Sequence, residues 1–507
     1  MKKEFKPYPE WAIKHRRPGI EIRRVKENFY VYEVSSFYDK EKKKGRKKTG
    51  AYLGKITEKE GFIPTNSKKV DKSIKTIDRS TISTKEYGLS AFIQSYCSEI
   101  VDLLKQHFPD NWEHILVGLF ARLAHTSPLK NIEYYFKRSF LSEQFEIKVT
   151  SKIMSDLLRK LGINRTPIIE YMKSFFGEGV VLIDATSIIS YSRNLSRVYT
   201  NLSKKGTYEP LFNLLYFYSP STYLPAYYRL FNGNIKDVKM ISIAIKESEY
   251  KNALVIADKG FYSDENLEIL EQEDLKYIIP LKRNSTLINN DSLKGLTQSP
   301  NVFLFENRPI YFTSYDYPLE DKEKNRKKRK NAKVKQVNPK LTERRIYLFI
   351  DEAMMLQEKR DFIHRMETSP NNYTKELFQE KMDDFGSFAV ISNKEDTPQN
   401  VFQNYKSRVG IEVLFDAAKN ILGNDHTYMQ NNDALEGWMF LNHLALQVHH
   451  KIYAILKEQN LISKYSIRDF IERLLDIKRV RINNEWILEP LIKDQQVLLK
   501  KMGIDIT

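Results

Sequence analysis

The chain has 507 residues, a formal net charge of +17 and a pI of about 9.3, and 41% of its residues are hydrophobic. This apolar fraction supports folded hydrophobic cores, and the excess of cations favours a polyanionic partner over a basic enzyme that binds no nucleic acid. A single cysteine, Cys97, excludes an internal disulfide and fits a reducing compartment. No apolar run reaches the length of a membrane span and the start lacks a signal-peptide core, so we expect a cytoplasmic protein without membrane contact.

The N-terminal segment is predicted to contain a β-hairpin with a basic tip. Residues 29–56 alternate aromatic and polar side chains, pass through KEKKKGRKK and close with AYLGKI. This pattern is typical of two antiparallel strands joined by a charged turn. The cations fit either a solvated turn that keeps a sheet edge soluble or a contact with DNA. We assign residues 1–86 to this N-terminal basic β-hairpin region.

Residues 87–175 are predicted to be helical, with breaks at Asn111 and Pro128. Apolar side chains recur there at the spacing of one helix face. They are Ile93, Cys97, Ile100 and Leu104, followed by Ile115, Leu119 and Leu123. Such a bundle fits a DNA-binding domain and a plain packing domain equally well.

Residues 178–285 are predicted to form an α/β unit. Short β-branched runs bounded by turn residues indicate buried strands. The predicted strands are 180–188, 211–218, 223–231, 253–258 and 277–281, and the predicted helices lie near 237–250 and 264–274. Ser263 is expected to cap the second helix, whose first turn is acidic.

Two of these strands lead into an aspartate. Asp184 follows the run VVLI, and Asp258 follows the run ALVIA. Sites tend to lie at the rim of an open α/β sheet, so both aspartates are candidate site residues. Taken alone, each would also fit a cap or a turn, and Asp258 before Lys259-Gly260 is an ordinary turn signal.

The pattern changes after residue 285. Segments 301–306, 309–315 and 344–350 are predicted to be strands around a connector, residues 322–345, which holds twelve Lys or Arg against two Glu. The connector fits a solvated loop and a DNA contact about equally. We assign residues 286–384 to a β-rich basic insertion, after which the apolar segment FGSFAVIS is predicted to be a strand.

The C-terminal part carries a group of four polar residues in the segment TPQNVFQNYKSRVGIEVLFDAAKNILG: Tyr405, Arg408, Glu412 and Lys419. In one continuous helix, their offsets of 3, 7 and 14 would place them within about 60° of one another. A buried carboxylate needs a cation or a metal beside it, and cations can hold phosphates, so the stripe indicates metal-dependent phosphoryl transfer on a polyanion. The alternative is that Arg408 only neutralises Glu412 at helical spacing i, i+4. Residues 431–507, with Trp438 and Trp486, are predicted to form a C-terminal helical region.

Together these segments resemble the DDE transposases of bacterial insertion sequences, in the insertion-sequence-four superfamily. The signature of that group, Tyr-x2-Arg-x3-Glu-x6-Lys, is matched without a gap by YKSRVGIEVLFDAAK, and the segments DAT and ADKGFYS resemble its first and second aspartate motifs. Lys259 is a mild departure, since the group often has arginine after the second aspartate. The resemblance implies an α/β ribonuclease-H-like catalytic core, a mixed sheet flanked by helices, in residues 176–285 and 385–430.

The resemblance also implies roles for the candidate residues. Two divalent cations, Mg²⁺ or Mn²⁺, are the implied cofactors, because hard oxygen ligands favour them over zinc. The catalytic residues, which are also the metal ligands, would be Asp184, Asp258 and Glu412. The residues that bind DNA beside the scissile phosphate would be Tyr405, Arg408 and Lys419.

The implied partners are double-stranded DNA and a second copy of the chain. The DNA would be the terminal inverted repeats of an insertion sequence and a target, and a homodimer is implied because two ends must be held together. The implied location is the bacterial cytoplasm, at the nucleoid.

Two other functions stay open at this stage. One is a ribonuclease-H-like nuclease without strand transfer, and the other is a non-catalytic DNA-binding protein derived from a transposase. Members of the group can also carry a tryptophan that stacks on a flipped base during hairpin chemistry. The sequence has no tryptophan between Asp258 and Glu412, so whether cleavage passes through a hairpin stays open.

Overall fold

The structure, a computed structural model, describes most of the chain in two compact units divided between residues 81 and 82. The described residues are 8–39, 44–65, 82–125, 129–176, 179–202, 206–317, 344–423 and 426–506. Two sequence predictions lie outside these ranges, namely the break at Pro128 and nearly all of the basic connector. Within the described residues, no helix combines the length and apolar character that crossing a membrane requires.

The first unit is a four-stranded antiparallel sheet with strand order β1-β2-β3-β4. Its elements are α1 (Glu10–Ile13), β1 (Ile20–Val25), β2 (Asn28–Asp39), β3 (Lys44–Thr57) and β4 (Gly61–Pro64). β2 and β3 pair as the predicted hairpin, with Phe29 opposite Ile56 at its base. Those two residues form a small core with Val31 and Ala12.

The second unit begins with a strand and a helical region. β5 (Ser83–Glu86) precedes helices that confirm the predicted helical character of this region. They are α2 (Gly88–Tyr96), α3 (Ser98–His107), α4 (Trp112–Ala124), α5 (Ile132–Arg138), α6 (Leu141–Gln144), α7 (Ser151–Ile163) and α8 (Thr166–Lys173). Asn111 lies at the N-cap of α4, as the sequence predicted.

A large mixed sheet flanked by helices forms the centre of this unit, which confirms the predicted α/β class. Its strand order is β12-β13-β14-β15-β11-β10-β6-β8-β7, and β9 pairs with β8. The strands are β6 (Gly179–Ile189), β7 (Tyr199–Leu202), β8 (Tyr208–Ser219), β9 (Leu224–Asn232), β10 (Ala253–Ala257), β11 (Lys276–Pro280), β12 (Val302–Phe305), β13 (Arg308–Asp316), β14 (Arg345–Asp351) and β15 (Ser387–Ser392). β6, β10 and β11 are parallel, whereas β8 and β9 continue the sheet antiparallel.

Two helices connect the strands of the site, α9 (Asp237–Ser248) and α10 (Asp264–Gln272). The Ser263 hydroxyl accepts a hydrogen bond from the Asn266 amide at 3.0 Å, so the predicted cap is present. Strands β13 and β14, from the segment predicted to be an insertion, extend the same sheet. That segment also contains two helices that the sequence did not predict, α11 (Glu352–Thr368) and α12 (Lys375–Glu380).

The C-terminal part is helical except for one pair of short strands. Its elements are α13 (Pro398–Lys406), α14 (Val409–Asp416), α15 (Asn432–Glu458), α16 (Ile467–Leu475), β16 (Lys478–Ile482), β17 (Glu485–Leu488) and α17 (Lys493–Lys501). Trp438 lies in α15 as predicted, but Trp486 lies in β17, so the helical prediction is wrong at that position. β17 and β16 form a small sheet with β5, which joins the two ends of the unit.

Candidate active site

Asp184 and Asp258 lie side by side at the centre of the sheet. β6 and β10 are parallel neighbours, with Ile183 paired to Ala257, so the next residue along each strand is one of the two aspartates. The Asp184 carboxylate accepts from the Ala185 amide at 2.7 Å, and that of Asp258 accepts from the Lys259 amide at 2.8 Å. Both carboxylates are partly exposed, whereas the strands before them are buried. The strand pairing therefore places two acids at one accessible rim.

Glu412 reaches this region on helix α14, which packs against β6. Glu412 is exposed in the first turn of the helix, while Ile411 and Leu414 are buried. The helix can approach the sheet closely because residue 410 is glycine. A Cβ atom at Gly410 would lie 2.7 Å from Cε1 of Tyr218, a buried ring on β8. The glycine thus sets the distance between the Glu412 helix and the strands that carry the aspartates.

Replacing Gly410 by alanine should destabilise the protein and impair the site. The added methyl group would press on the Tyr218 ring, which is only 1% exposed. We expect a loss of about 1–3 kcal/mol in the free energy of unfolding, the usual cost of overpacking. Denaturant unfolding of the full chain measures it.

The control is Gly45→Ala, where an added Cβ atom would meet nothing within 4 Å. This variant should unfold like the parent protein. If Gly410→Ala also unfolds like the parent, the close approach of α14 to the sheet is not a constraint on the site.

The four signature residues do not lie on one continuous helix, so that expectation was wrong. α13 ends at Lys406, the backbone turns at Ser407 and Arg408, and α14 begins at Val409. A π-helical turn, Ala417–Ile421, then carries Lys419. A π-helix has a wider turn than an α-helix, so the angle and spacing expected from 3.6 residues per turn do not apply to Lys419.

Arg408 pairs with Asp258 rather than with Glu412. Its Nη1 atom lies 3.2 Å from Oδ1 of Asp258, and its side chain is 15% exposed. The guanidinium also lies 5.8 Å from the ring centre of Tyr405, which in turn contacts the ring of Phe388 on β15. The Nε atom of Arg408 is buried without a hydrogen-bond partner in the described part of the chain. The turn at residues 407–408 thus directs this cation to the second aspartate.

A buried arginine bonds to the C-terminal end of the segment that carries Tyr405, Arg408, Glu412 and Lys419, which we call the signature segment. Arg122 on α4 donates to the carbonyl of Leu422, directly after the π turn, and its Nε donates to Asn442 at 2.9 Å. Burial lowers the pKa of Arg122 to about 10, which still leaves the side chain charged at neutral pH. We did not identify this residue from the sequence, although a lone cation in the apolar run ILVGLFARLA is a recognisable signal.

The three carboxylates have the donor chemistry for Mg²⁺ or Mn²⁺, but their side chains are not gathered around a common point. Among the described residues, no group of three His, Cys, Asp or Glu side chains is arranged to hold a metal ion. The structure brings Asp184 and Asp258 to adjacent positions and packs the helix of Glu412 against β6. Asp258 is turned to Arg408, so a metal at this rim and the guanidinium would compete for the same carboxylate.

Three histidines behind the site are core residues. His443, His449 and His450 are buried on α15, and none of their ring nitrogens has a hydrogen-bond partner within the described ranges. His443 stacks on Tyr216 at 5.9 Å, and Tyr216 is the residue opposite Asp184 in the sheet. Burial lowers the pKa of these imidazoles to about 3, 4 and 3 respectively.

Because of these three buried histidines, we expect the protein to lose stability in mild acid. In the unfolded chain they bind protons near pH 6.5, whereas the folded protein keeps them neutral down to about pH 3–4. Their contribution is therefore complete above pH 6.5 and is lost as the pH falls toward 4, by up to about 1.4 kcal/mol per histidine and pH unit. Denaturant unfolding between pH 7 and 5 measures the slope.

The matched variants are His443→Phe and His364→Gln, the latter at an exposed position of α11. His443→Phe should make the pH dependence shallower, and His364→Gln should not change it. An unchanged slope in His443→Phe would mean that this imidazole is solvated.

Comparison with known proteins identifies the family to which the chain belongs. The family model described as "Transposase DDE domain" matches residues 175–448, more than half of the chain. Among solved structures, the chain is similar to the piggyBac transposase in its synaptic complex with hairpin DNA, at 12% identity and a TM-score of 0.40, over 77% of this chain and 79% of that one. A likeness this weak supports no conclusion by itself. No curated protein matches.

Proposed function

Because the chain belongs to the transposase DDE-domain family, we propose that it is the DNA transposase of an insertion sequence in the insertion-sequence-four superfamily. It binds the terminal inverted repeats of its element, cleaves the DNA at the element ends and joins the 3′ ends to target DNA. The matched residues, 175–448, include the sheet from β6 onward and all six candidate site residues.

The pairing of Asp184 with Asp258 carries this proposal. Strands β6 and β10, whose paired residues lie 74 positions apart in the chain (Gly179 and Ala253), become parallel neighbours and bring two acids to one rim. The order β9-β8-β6-β10-β11, antiparallel on one side of β6 and parallel on the other, supports a ribonuclease-H-like core. Helix α14 adds Glu412 from the side of β6.

The proposed cofactors are two divalent cations, Mg²⁺ or Mn²⁺, with Asp184, Asp258 and Glu412 as ligands. When bound, such a metal pair activates a water or a 3′-hydroxyl and stabilises the leaving oxygen. The protein contributes the carboxylate of Asp184 within β6, that of Asp258 directly after β10, and a third carboxylate on a helix. Arg408 forms an ion pair with Asp258 at 3.2 Å.

Tyr405, Arg408 and Lys419 are proposed to bind the DNA backbone beside the scissile phosphate. Arg408 offers a planar fork that can hold a phosphate by two hydrogen bonds, whereas Lys419 offers a single charge. If Asp258 held a metal, the guanidinium of Arg408 would be available to a phosphate at the same rim. The ion pair therefore holds Arg408 next to the place where the phosphate must lie.

Cleavage of cognate DNA tests this function. The substrate is a duplex carrying the inverted repeat that flanks the coding region, incubated with the full chain and Mg²⁺. We expect metal-dependent cleavage at the repeat end and, in gel-filtration light scattering, a complex with two chains and two DNA ends. Binding without metal-dependent cleavage would favour a non-catalytic DNA-binding protein.

A further inference from the structure

The β2–β3 hairpin extends beyond its own sheet as a two-stranded ribbon. β1 pairs with β2 only as far as Glu33, and β4 pairs with β3 only as far as Gly54. Beyond these points, residues 34–39 and 44–49 pair with each other. Within the described part of the chain, no further strand pairs with the outer edges of this ribbon. An edge of this kind is either protected by charge or used for binding.

The two faces of the ribbon differ in charge. Lys48 lies opposite Ser35 and Arg46 lies opposite Phe37, so these side chains share one face. Lys47 lies opposite Ser36, on the other face, where its ammonium pairs with Glu21 at 2.9 Å. Lys48 makes no ion pair with any described residue. The register positions of Lys44 and Asp39 belong to the same face, which therefore carries three cationic residues and one acidic residue. We call the face of Ser35, Phe37, Asp39, Lys44, Arg46 and Lys48 the basic ribbon face.

The basic ribbon face also exposes an aromatic ring. Phe37 is 50% exposed, between the cations of the neighbouring strand. A solvated turn needs charge to stay soluble but gains nothing from an exposed phenyl ring. Cations around an apolar ring suit a partner that presents phosphates beside apolar sugar and base surfaces.

We propose that the basic ribbon face binds duplex DNA, with Lys48 and Arg46 on backbone phosphates and Phe37 against the groove. The major groove is about 12 Å wide and accepts a two-stranded β-ribbon. The proposal rests on the proposed function, since it takes the same DNA as partner. It adds a second contact in the separate N-terminal unit, outside the residues that the transposase family model matches.

The experiment compares neighbouring lysines on opposite faces. Lys48→Ala and Lys47→Ala each remove one charge from the same strand, so net charge is matched. Binding of the full chain to a duplex without inverted repeats is measured across a salt series by fluorescence anisotropy. For Lys48→Ala, we expect the slope of log K against log salt to become shallower by about 0.9, the value for one phosphate contact. Lys47→Ala should keep the parent slope.

A second pair of variants tests whether the Phe37 ring contacts DNA. Phe37→Ala should weaken binding, whereas Tyr38→Ala, 64% exposed on the opposite face, should not. Equal effects of the two variants in either pair would overturn the proposal. The proposal would also be overturned if Lys48→Ala self-associated while its DNA binding stayed unchanged. Lys48 would then serve to protect the open edge of the ribbon from pairing with another strand. End cleavage by the parent protein tests the proposed function separately, because cleavage can occur whether or not Lys48 contacts a phosphate.

Discussion

Asp184→Asn, Asp258→Asn and Glu412→Gln are each expected to lower end cleavage by more than about 100-fold while leaving DNA binding largely intact. Loss of a group that only supports a metal ligand typically costs about 10- to 100-fold, and these changes remove a proposed ligand itself. Asp184 lies within β6 and Asp258 directly follows the neighbouring parallel strand β10, so the two aspartates should act together. Cleavage of a labelled inverted-repeat duplex, with anisotropy for binding, measures both quantities.

The control for these variants is Asp416→Asn. Asp416 is exposed on α14, one turn after Glu412, so it matches the position and the charge of the Glu412 change. It should cleave close to the parent rate. A Glu412→Gln enzyme that also cleaves at the parent rate would remove Glu412 from the site and leave the two aspartates without their third partner.

Arg408→Ala is expected to separate metal binding from cleavage. Arg408 holds Asp258 at 3.2 Å, so its removal should tighten Mn²⁺ binding to the DNA-free protein several-fold, because a competing cation is lost. Cleavage should nevertheless fall by about 100- to 1,000-fold, the usual loss when one donor to a developing charge is removed. Mn²⁺ binding is measured by electron paramagnetic resonance.

Arg408→Lys distinguishes charge from shape. It keeps the cation, so Mn²⁺ affinity should stay near that of the parent, but a lysine cannot reproduce the planar fork and cleavage should recover poorly. Lys419→Ala should slow cleavage without changing Mn²⁺ affinity. If Lys419→Ala cleaves at the parent rate, Lys419 does not bind the backbone. Unchanged metal affinity together with normal cleavage in Arg408→Ala would make the ion pair structural only.

The sequence predicted the centre of the fold because its strands are encoded locally. The runs before Asp184 and Asp258 are apolar, β-branched and closed by polar residues, and they became β6 and β10. Elements without such a pattern were missed. β7 is exposed along its length, and α11 buries only Phe362, so neither shows an apolar face that periodicity could detect.

The signature segment shows where local pattern fails. Its apolar spacing fits a helix in both halves, but the turn at Ser407 and Arg408 and the π turn after Asp416 leave no mark on that spacing. Both lie beside tertiary contacts that spacing cannot reveal: the approach of Gly410 to Tyr218 and the hydrogen bond from Arg122 to Leu422. The pairing of Arg408 with Asp258, rather than with Glu412 along the helix, joins residues 150 positions apart in the sequence and was not predicted.

Strand joining tests the central claim most directly. A duplex already cut at the inverted-repeat end, labelled on the strand with the free 3′-hydroxyl, is incubated with the full chain, Mg²⁺ and a supercoiled target plasmid. We predict that the label becomes covalently joined to the plasmid, and that the product disappears in Asp258→Asn and without metal. Metal-dependent nicking of the plasmid without joined label would contradict the account and identify a nuclease, and joining that survives Asp258→Asn would place the chemistry elsewhere.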